Sequence, residues 1–279
     1  MNEIKDNVFL ERLDKILVRN KISTFRRVRR LLQTHCLEVN GQQILDTGFM
    51  ASPEHDTFTL DKKPLDLFCE KYIVMNKRAG TLCTKKSESI PTVYDDLNKN
   101  EFNEEEFQKL HSVGRLDMDT EGLLILTTNG DFSYRLTDPK FHVNKTYFVE
   151  LKNECNEEKQ MEYKNNFQKG IFIPQEKNES AFVSKPAFLE WKTKNSCLLT
   201  ISEGKFHQVK RMFAAVENGV ERLSRVQIGN LPIAAELGFG ECLEILHNDV
   251  ENLLKPSSFE DVQKKIITDF WSYLINNNL

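Results

Sequence analysis

The sequence lacks the features of a membrane-spanning or secreted chain. Its apolar runs, such as residues 122–126, fall far short of the roughly 20 residues that cross a bilayer. The opening MNEIKDN contains no apolar core of a signal peptide. We therefore expect a soluble, cytoplasmic protein with no membrane partner.

Paired cysteines are also missing, as are nucleotide-binding motifs. The six cysteines are scattered, with no Cys-x-x-Cys pair and no paired histidine spacing of the kind that binds zinc. We expect reduced, mostly structural thiols, no metal site and no cofactor. At 279 residues the chain is long enough for a small domain joined to a larger one.

Charge is distributed unevenly around a net value of −4. Residues 9–40 contain eight Lys or Arg against three acids, whereas residues 235–279 contain three lysines against eight acids. Phosphate binding requires local rather than total positive charge. The N-terminal region is therefore a candidate surface for a polyanion, although ordinary solvated helix faces would also explain it.

Two short amphipathic helices are predicted in this basic region. Apolar residues recur at helical spacing before residue 20, and again after Ser23, a candidate N-cap. Asn40-Gly41 then predicts a turn at the end of a strand. The second helix carries guanidinium groups on its polar side. These candidate RNA-binding residues are Arg26, Arg27, Arg29 and Arg30.

The rest of the chain predicts an α+β fold. Short strand-like runs at 72–76, 123–127, 146–151 and 198–202 alternate with polar or helical stretches. A helix is predicted at 208–217, and another at 258–275 behind a possible capping box at Ser258. We divide the chain into a small domain (1–62), a larger domain (63–250) and a helical C-terminal extension (251–279).

The stretch most informative about function is HSVGRLDMDTEGLLILTTNGDFSYRL, residues 111–136. In it, a polar loop with Arg115, Asp117 and Asp119 leads directly into an apolar strand. A carboxylate in this loop would lie at the end of a strand. Taken alone, an aspartate in a loop more often caps a turn or faces solvent.

Two family resemblances follow from these residues. RLDKIL, the helix after Ser23 and LEVNG resemble the S-four RNA-binding domain over roughly residues 9–60. GRLD followed by DTEGLLILTTNG resembles the active-site motif of pseudouridine synthases. Further blocks match in order, namely KYIVMNKRAGTLCT, PTVYDDL, KTYFVEL, KPAFLE and SEGKFHQVKRMFAAVEN. One departure is Arg78, where the family usually has proline.

The resemblance implies a mixed, largely antiparallel catalytic sheet and an isomerase that needs no cofactor. KPAFLE and EGKFHQVKRM look closest to enzymes of small-subunit (16S) ribosomal RNA, for which the implied target is uridine 516. The implied partner is this RNA, as such or in an assembly intermediate with ribosomal proteins, and we expect a monomer. Two alternatives are a synthase of large-subunit (23S) RNA and a catalytically silent binding protein.

The resemblance also implies the catalytic carboxylate. Asp117 matches the family aspartate, which acts either as a nucleophile toward sugar or uracil or as a base that removes a ribose proton. Asp119 is the rival, and we interpret it as a turn or helix-end acceptor. Lys210, or its neighbour Arg211, matches the basic residue that pairs with the aspartate.

Other site residues are implied by the handling of the RNA. The target base must leave its stack, and Arg115 matches the arginine that holds the flipped base or fills its place; a surface salt bridge is the alternative. Tyr147 matches the aromatic that stacks on the uracil, although it could be plain core. Lys205, His207 and Arg211 are expected to contact RNA, and for His207 a solvent-exposed or capping role is the alternative.

Overall fold

The computed structural model describes residues 10–176, 179–245, 250 and 253–255. The chain divides into two compact units, which are Met1–Glu70 and Lys71–Leu279. The first unit contains the helices α1 (Leu13–Arg19) and α2 (Val28–Thr34). Its strands are β1 (Glu11–Arg12), β2 (Leu37–Val39), β3 (Gln42–Gln43), β4 (Met50–Ala51), β5 (Phe58–Leu60) and β6 (Lys63–Pro64).

The first unit extends further than the boundary that we placed at residue 62. Strand β6 pairs with β5 in the sheet of order β3-β2-β5-β6. Leu65 and Leu67 then pack against the core formed by α1, α2 and this sheet. Because these contacts belong to the N-terminal core, the division falls after Glu70.

Helix α2 starts later than predicted. Ser23 does not cap it, because residues 25–27 form a turn in which the Thr24 carbonyl accepts hydrogen bonds from the backbone N–H groups of Arg27 and Val28. Val28 and Leu32 face the core. All four arginines, Arg26, Arg27, Arg29 and Arg30, are exposed, as the amphipathic pattern requires.

The hairpin expected at Asn40-Gly41 is confirmed. Strands β2 and β3 pair antiparallel, and φ is 52° at Asn40 and 78° at Gly41. Two successive residues with positive φ make the tight turn that joins two such strands, and asparagine followed by glycine adopts it at little cost.

The second unit is α+β. Its helices are α3 (Glu104–Lys109), α4 (Gly130–Thr137), α5 (Glu157–Lys169) and α6 (Gln208–Ala214), with 3-10 turns at Lys99–Glu101 and Pro139–Phe141. Its strands are β7 (Tyr72–Lys77), β8 (His111–Ser112), β9 (Glu121–Thr127), β10 (Lys145–Leu151), β11 (Phe172–Ile173), β12 (Phe182–Val183), β13 (Phe188–Trp191), β14 (Ser196–Ile201), β15 (Val220–Ile228), β16 (Leu231–Pro232) and β17 (Cys242–Glu244).

One large sheet dominates this unit. Its strand order is β13-β14-β10-β15-β9-β7-β17, with β16 beside β15 and β8 beside β9. Strands β15 and β9 run parallel, and the other neighbours along this path run antiparallel. The predicted mixed, largely antiparallel sheet is therefore confirmed. The strand-like runs at 72–76, 123–127 and 146–151 lie in β7, β9 and β10, and the run at 198–202 ends one residue beyond β14.

Both faces of the sheet are covered, which explains the continuous apolar run at 123–126 in β9. Along β9, Leu124 and Leu126 enter one core cluster, while Leu123 and Ile125 enter the other. Helices α5 and α6 cover the first face, and α4 covers the second.

The helix predicted at 258–275 lies outside the described residues. Within the residues that the structure does describe, no helix is long and apolar enough to span a bilayer.

Candidate active site

Asp117 lies in the loop between β8 and β9, and the end of β7 holds this loop in place. The ammonium of Lys77, which is fully buried, donates to the carbonyl oxygens of Met118 (3.1 Å) and Thr120 (2.8 Å). The N–H of Gly80 also donates to the Met118 carbonyl, at 2.8 Å. The loop backbone is thus fixed on both sides of residue 119.

The turn after β7 carries the departure noted from the family pattern. Arg78 forms an ion pair with Asp96, with Nη2 to Oδ1 at 2.7 Å and Nε to Oδ2 at 3.2 Å. The charge that arginine adds here is therefore matched by a neighbouring carboxylate. Burial lowers the pKa of the adjacent Lys77, whose ammonium is bound by carbonyl oxygens.

Lys210, on α6, bridges both carboxylates of the loop. Its Nζ lies 3.0 Å from Oδ2 of Asp117 and 2.6 Å from Oδ1 of Asp119. Asp119 therefore shares the lysine rather than serving only as the turn acceptor that we expected. The Asp117 side chain is about one quarter exposed and that of Asp119 about two thirds, at 27% and 68%. Asp117 is the carboxylate better shielded from water.

The bridge changes the proton affinities of its members. Burial disfavours the charged form of Lys210, but its hydrogen bonds to Asp119 and Asp117 outweigh this effect and raise its pKa. Burial likewise opposes ionisation of Asp119, but the hydrogen bond and charge of Lys210 lower its pKa. At neutral pH the ammonium is charged and holds both carboxylates.

A pocket opens beside Asp117. Its walls come from the β8–β9 loop, the C-terminal end of α4, strands β10 and β15, and the N-terminus of α6. Five of the residues selected from the sequence line it. They are Arg115, Asp117, Tyr147, Lys205 and His207.

These lining residues differ in their surroundings. Tyr147 is only 8% exposed and belongs to the core cluster as well as to the pocket. Arg115 is exposed, and no carboxylate of the described residues pairs with it, so the alternative of a surface salt bridge is not observed. The His207 ring stacks on Phe206 with centroids 3.7 Å apart, and Nε2 lies 3.6 Å from Oδ1 of Asp117.

The two other basic residues near α6 have different partners. The Lys205 ammonium lies over the Phe182 ring, 3.6 Å from its centroid. Arg211 differs from the expected RNA-facing residue, since it is 6% exposed and its Nη2 donates to the Pro174 carbonyl at 2.9 Å. The segment after β11 returns onto α6 and covers this guanidinium. Arg211 therefore lies outside the Asp117 pocket.

Sequence reasoning missed two cations on the pocket floor, Lys145 and Arg225. Alternation along β10 was an available signal for Lys145, since it lies two residues before Tyr147 on the same face. Arg225 lies within a strand that is otherwise largely buried. Burial and the nearby Arg225 lower the pKa of Lys145 to about 8.

This depressed pKa predicts that Lys145→Met stabilises the fold at neutral pH. The unfolded lysine titrates at its ordinary 10.5 and the folded one at about 8. Below pH 8 both states are protonated, so burying the charge destabilises the folded state in full, and between pH 8 and 10.5 this destabilisation disappears. Chemical denaturation should therefore show a larger gain in unfolding free energy at pH 7 than at pH 9.5. A gain independent of pH would contradict this.

The chemistry available at the site is acid–base or nucleophilic. One shielded carboxylate faces a pocket with several cations, an arrangement suited to an anionic ligand. In the part of the chain that the structure describes, no cluster of His, Cys, Asp or Glu could hold a metal ion.

Residues 71–215, which include the loop, β10 and α6, match the model of the RNA pseudouridylate synthase family. The chain belongs to this family.

Curated pseudouridine synthases match beyond the catalytic unit. The chain is 35% identical over 244 residues to ribosomal small subunit pseudouridine synthase A of Escherichia coli K12, covering 87% of this chain and 100% of the relative. It is 34% identical to the enzyme of that name from Haemophilus influenzae, covering 88% and 100%. The protein is thus an RNA pseudouridine synthase, an isomerase, and the family expected from the GRLD motif is confirmed.

A solved structure described as a pseudouridylate synthase supports the same assignment. It shares 34% sequence identity with this synthase and a TM-score of 0.59, over 87% of this chain and 99% of the other. The sheet that carries the pocket is therefore a pseudouridine synthase sheet. Family membership makes RNA the substrate and isomerisation of uridine the reaction.

Proposed function

We propose that this synthase isomerises a specific uridine of small-subunit (16S) ribosomal RNA to pseudouridine, with Asp117 as the catalytic carboxylate. The observation that carries the assignment of the carboxylate is the Lys210 ammonium, 3.0 Å from Asp117 at the mouth of the pocket. Two relatives named for the small subunit, aligned over their full length, support the substrate. The expected target is uridine 516.

Each residue of the site has its own role in the proposed reaction. Asp117 attacks the sugar or uracil, or removes a ribose proton, while Lys210 binds and orients its carboxylate. Tyr147 stacks on the uracil, and Arg115, exposed at the rim, holds the flipped nucleotide or fills its place. Lys205 and His207 lie at the same pocket and contact the RNA backbone.

Mapping of pseudouridines in ribosomal RNA tests the substrate. In a strain that lacks the gene, one position of small-subunit RNA should lose pseudouridine, and the parental gene should restore it while an Asp117→Asn gene should not. Loss from large-subunit RNA would replace the proposed target. Comparing naked RNA with assembly intermediates then tests whether the enzyme, proposed to act as a cytoplasmic monomer, needs ribosomal proteins on its substrate.

We further propose that the exposed arginines of the first unit bind RNA phosphates. Each phosphate contact adds about 0.7–0.9 to the slope of log affinity against log salt, because bound cations displace counterions. Replacing all four with glutamine should lower this slope by about 3–3.5 and weaken binding at low salt. Fluorescence titration at several salt concentrations measures it. The arginines are Arg26, Arg27, Arg29 and Arg30.

The matched control removes exposed lysines from α5 in the second unit. Glutamine at these positions changes net charge by nearly as much but should leave the slope unchanged. Equal slopes in the arginine variant and the parent would contradict the proposed phosphate contacts. The control positions are Lys159, Lys164 and Lys169.

A further inference from the structure

Three polar side chains of the pocket lie apart from the Asp117–Lys210 bridge. Arg225 is 3% exposed; its Nε donates to the Leu123 carbonyl at 2.8 Å, whereas its Nη2 has no hydrogen-bond partner among the described residues. The buried Thr120 hydroxyl is likewise unpartnered in this part of the chain. Lys145, whose Nζ donates to the Val143 carbonyl at 3.2 Å, is the third. Buried donors without partners are costly, and a ligand that accepts their hydrogen bonds removes that cost.

The sheet register places these groups beside the residue proposed to stack on the base. Arg225 on β15 is the direct cross-strand partner of Tyr147 on β10. Directly opposite residues share a face, with Cβ atoms about 5 Å apart. On its other side Arg225 pairs with Gly122, where a Cβ would lie 2.3 Å from the Arg225 carbonyl oxygen. A side chain at Gly122 would push β9 away from β15.

The floor also has an excess of positive charge. Neither Lys145 nor Arg225 forms an ion pair with a carboxylate of the described residues. Burial, and then the charge of Arg225, bring the pKa of Lys145 down to about 8. The positive charges of the buried Arg225 and the partly buried Lys145 repel each other. An anionic group bound between them would relieve this repulsion.

The isomerisation generates such an anion. When the C1′–N1 bond breaks, its electron pair leaves with the uracil, and the negative charge spreads over N1, O2 and O4. After the base turns, C5 supplies the electron pair of the new C1′–C5 bond, C5 loses its proton and N1 gains one. Atoms and electrons balance by either route open to Asp117, and no oxidant or reductant is consumed.

We propose that Arg225 and Lys145 stabilise the detached uracil anion by donating hydrogen bonds to its carbonyl oxygens while it turns. This deepens the proposed function and rests on it. Arg225 and Lys145 then provide preorganised electrostatic stabilisation for a charge that appears only after bond cleavage. An interaction of this kind raises the rate of the step rather than the affinity for the substrate.

The test compares Arg225→Gln and Lys145→Met with Arg222→Gln in the full-length protein. Arg222 lies on the same strand and pairs with Glu121 at 2.9 Å, away from the pocket lining. Single-turnover cleavage of the C1′–N1 bond at saturating RNA gives the rate, and titration gives the affinity. The RNA is whichever the parent enzyme modifies, so a different target would not affect this comparison.

Arg225→Gln should lower the single-turnover rate by about 100-fold, the scale on which one donor to a developing anion acts. Lys145→Met should lower it by about 10-fold, although this variant is expected to be the more stable protein at neutral pH. RNA affinity should change by less than about threefold in both. Arg222→Gln should retain the parental rate.

A second substrate distinguishes anion stabilisation from a structural role. RNA with 5-fluorouridine at the target carries a better leaving group, because fluorine stabilises the base anion. The deficit of Arg225→Gln and Lys145→Met in C1′–N1 cleavage should shrink several-fold on this RNA, since less of the charge needs protein support. Parental rates in both variants, or equal deficits on the two bases, would overturn the proposal. If Arg225→Gln does not fold, Lys145→Met alone decides by the same criterion.

Discussion

Asp117→Asn is expected to abolish turnover while leaving RNA binding intact. Asparagine preserves the size of the side chain but removes the charge that both a nucleophile and a base require. A loss of at least about 10⁴-fold is the usual scale for an essential residue of this kind. Affinity depends mainly on cations that contact phosphate, so removing a negative charge should leave Kd equal or slightly lower. Pseudouridine quantification and RNA titration measure the two effects.

Asp119→Asn is the matched control, because it loses a hydrogen bond to the same Lys210 ammonium. The Asp119 side chain is 68% exposed, and exposed ion pairs contribute only about 0.2–1 kcal/mol. Turnover should therefore fall by less than about tenfold. If Asp119→Asn were inactive and Asp117→Asn active, the catalyst would be the other aspartate. If neither substitution lowered turnover, neither aspartate would be the catalytic carboxylate, and the assignment of Asp117 would be wrong.

Lys210→Met is expected to lower turnover by about 100-fold with little change in folding stability. Both loop carboxylates lie within hydrogen-bond distance of this one ammonium. Without it, Asp117 and Asp119 repel each other and Asp117 loses its orientation. A displacement of about 1 Å can cost two orders of magnitude in rate. Single-turnover kinetics give the rate, and thermal unfolding checks the fold.

Two companion variants show whether the charge or the mere presence of Lys210 matters. Lys210→Arg keeps the positive charge and should retain most activity. The double variant Lys210→Met with Asp119→Asn removes the repulsion, so it should recover part of the lost rate. A double variant no faster than Lys210→Met would mean that the repulsion between the two carboxylates is unimportant.

Much of the catalytic site could be predicted from sequence because its residues lie in two continuous segments. The GRLD loop leads directly into β9, and the segment 202–218 carries Lys205, His207 and Lys210. Strand alternation in β10 places Tyr147 on a definite face. The structure places Tyr147, Lys205 and His207 at the Asp117 pocket, and Lys210 against Asp117 itself, while their roles in catalysis remain predictions.

The remaining features depend on contacts between distant segments. Arg211 has the helical position of a solvent-facing residue, yet the chain after β11 covers it and supplies the carbonyl oxygen of Pro174. Arg225 lies next to Tyr147 only because β15 and β10 pair in one register. Lys77 was passed over because nothing local indicates that its ammonium turns inward to hold the Asp117 loop.

The most direct test of the account is pseudouridine formation by the purified full-length protein on unmodified ribosomal RNA transcripts. Small-subunit and large-subunit RNA are incubated separately with the parent or with Asp117→Asn, then digested, and the pseudouridine is located by mass spectrometry. The account predicts one new pseudouridine in small-subunit RNA with the parent and none with Asp117→Asn. Pseudouridine formed by Asp117→Asn at the parental rate, or formed only in large-subunit RNA, would contradict it.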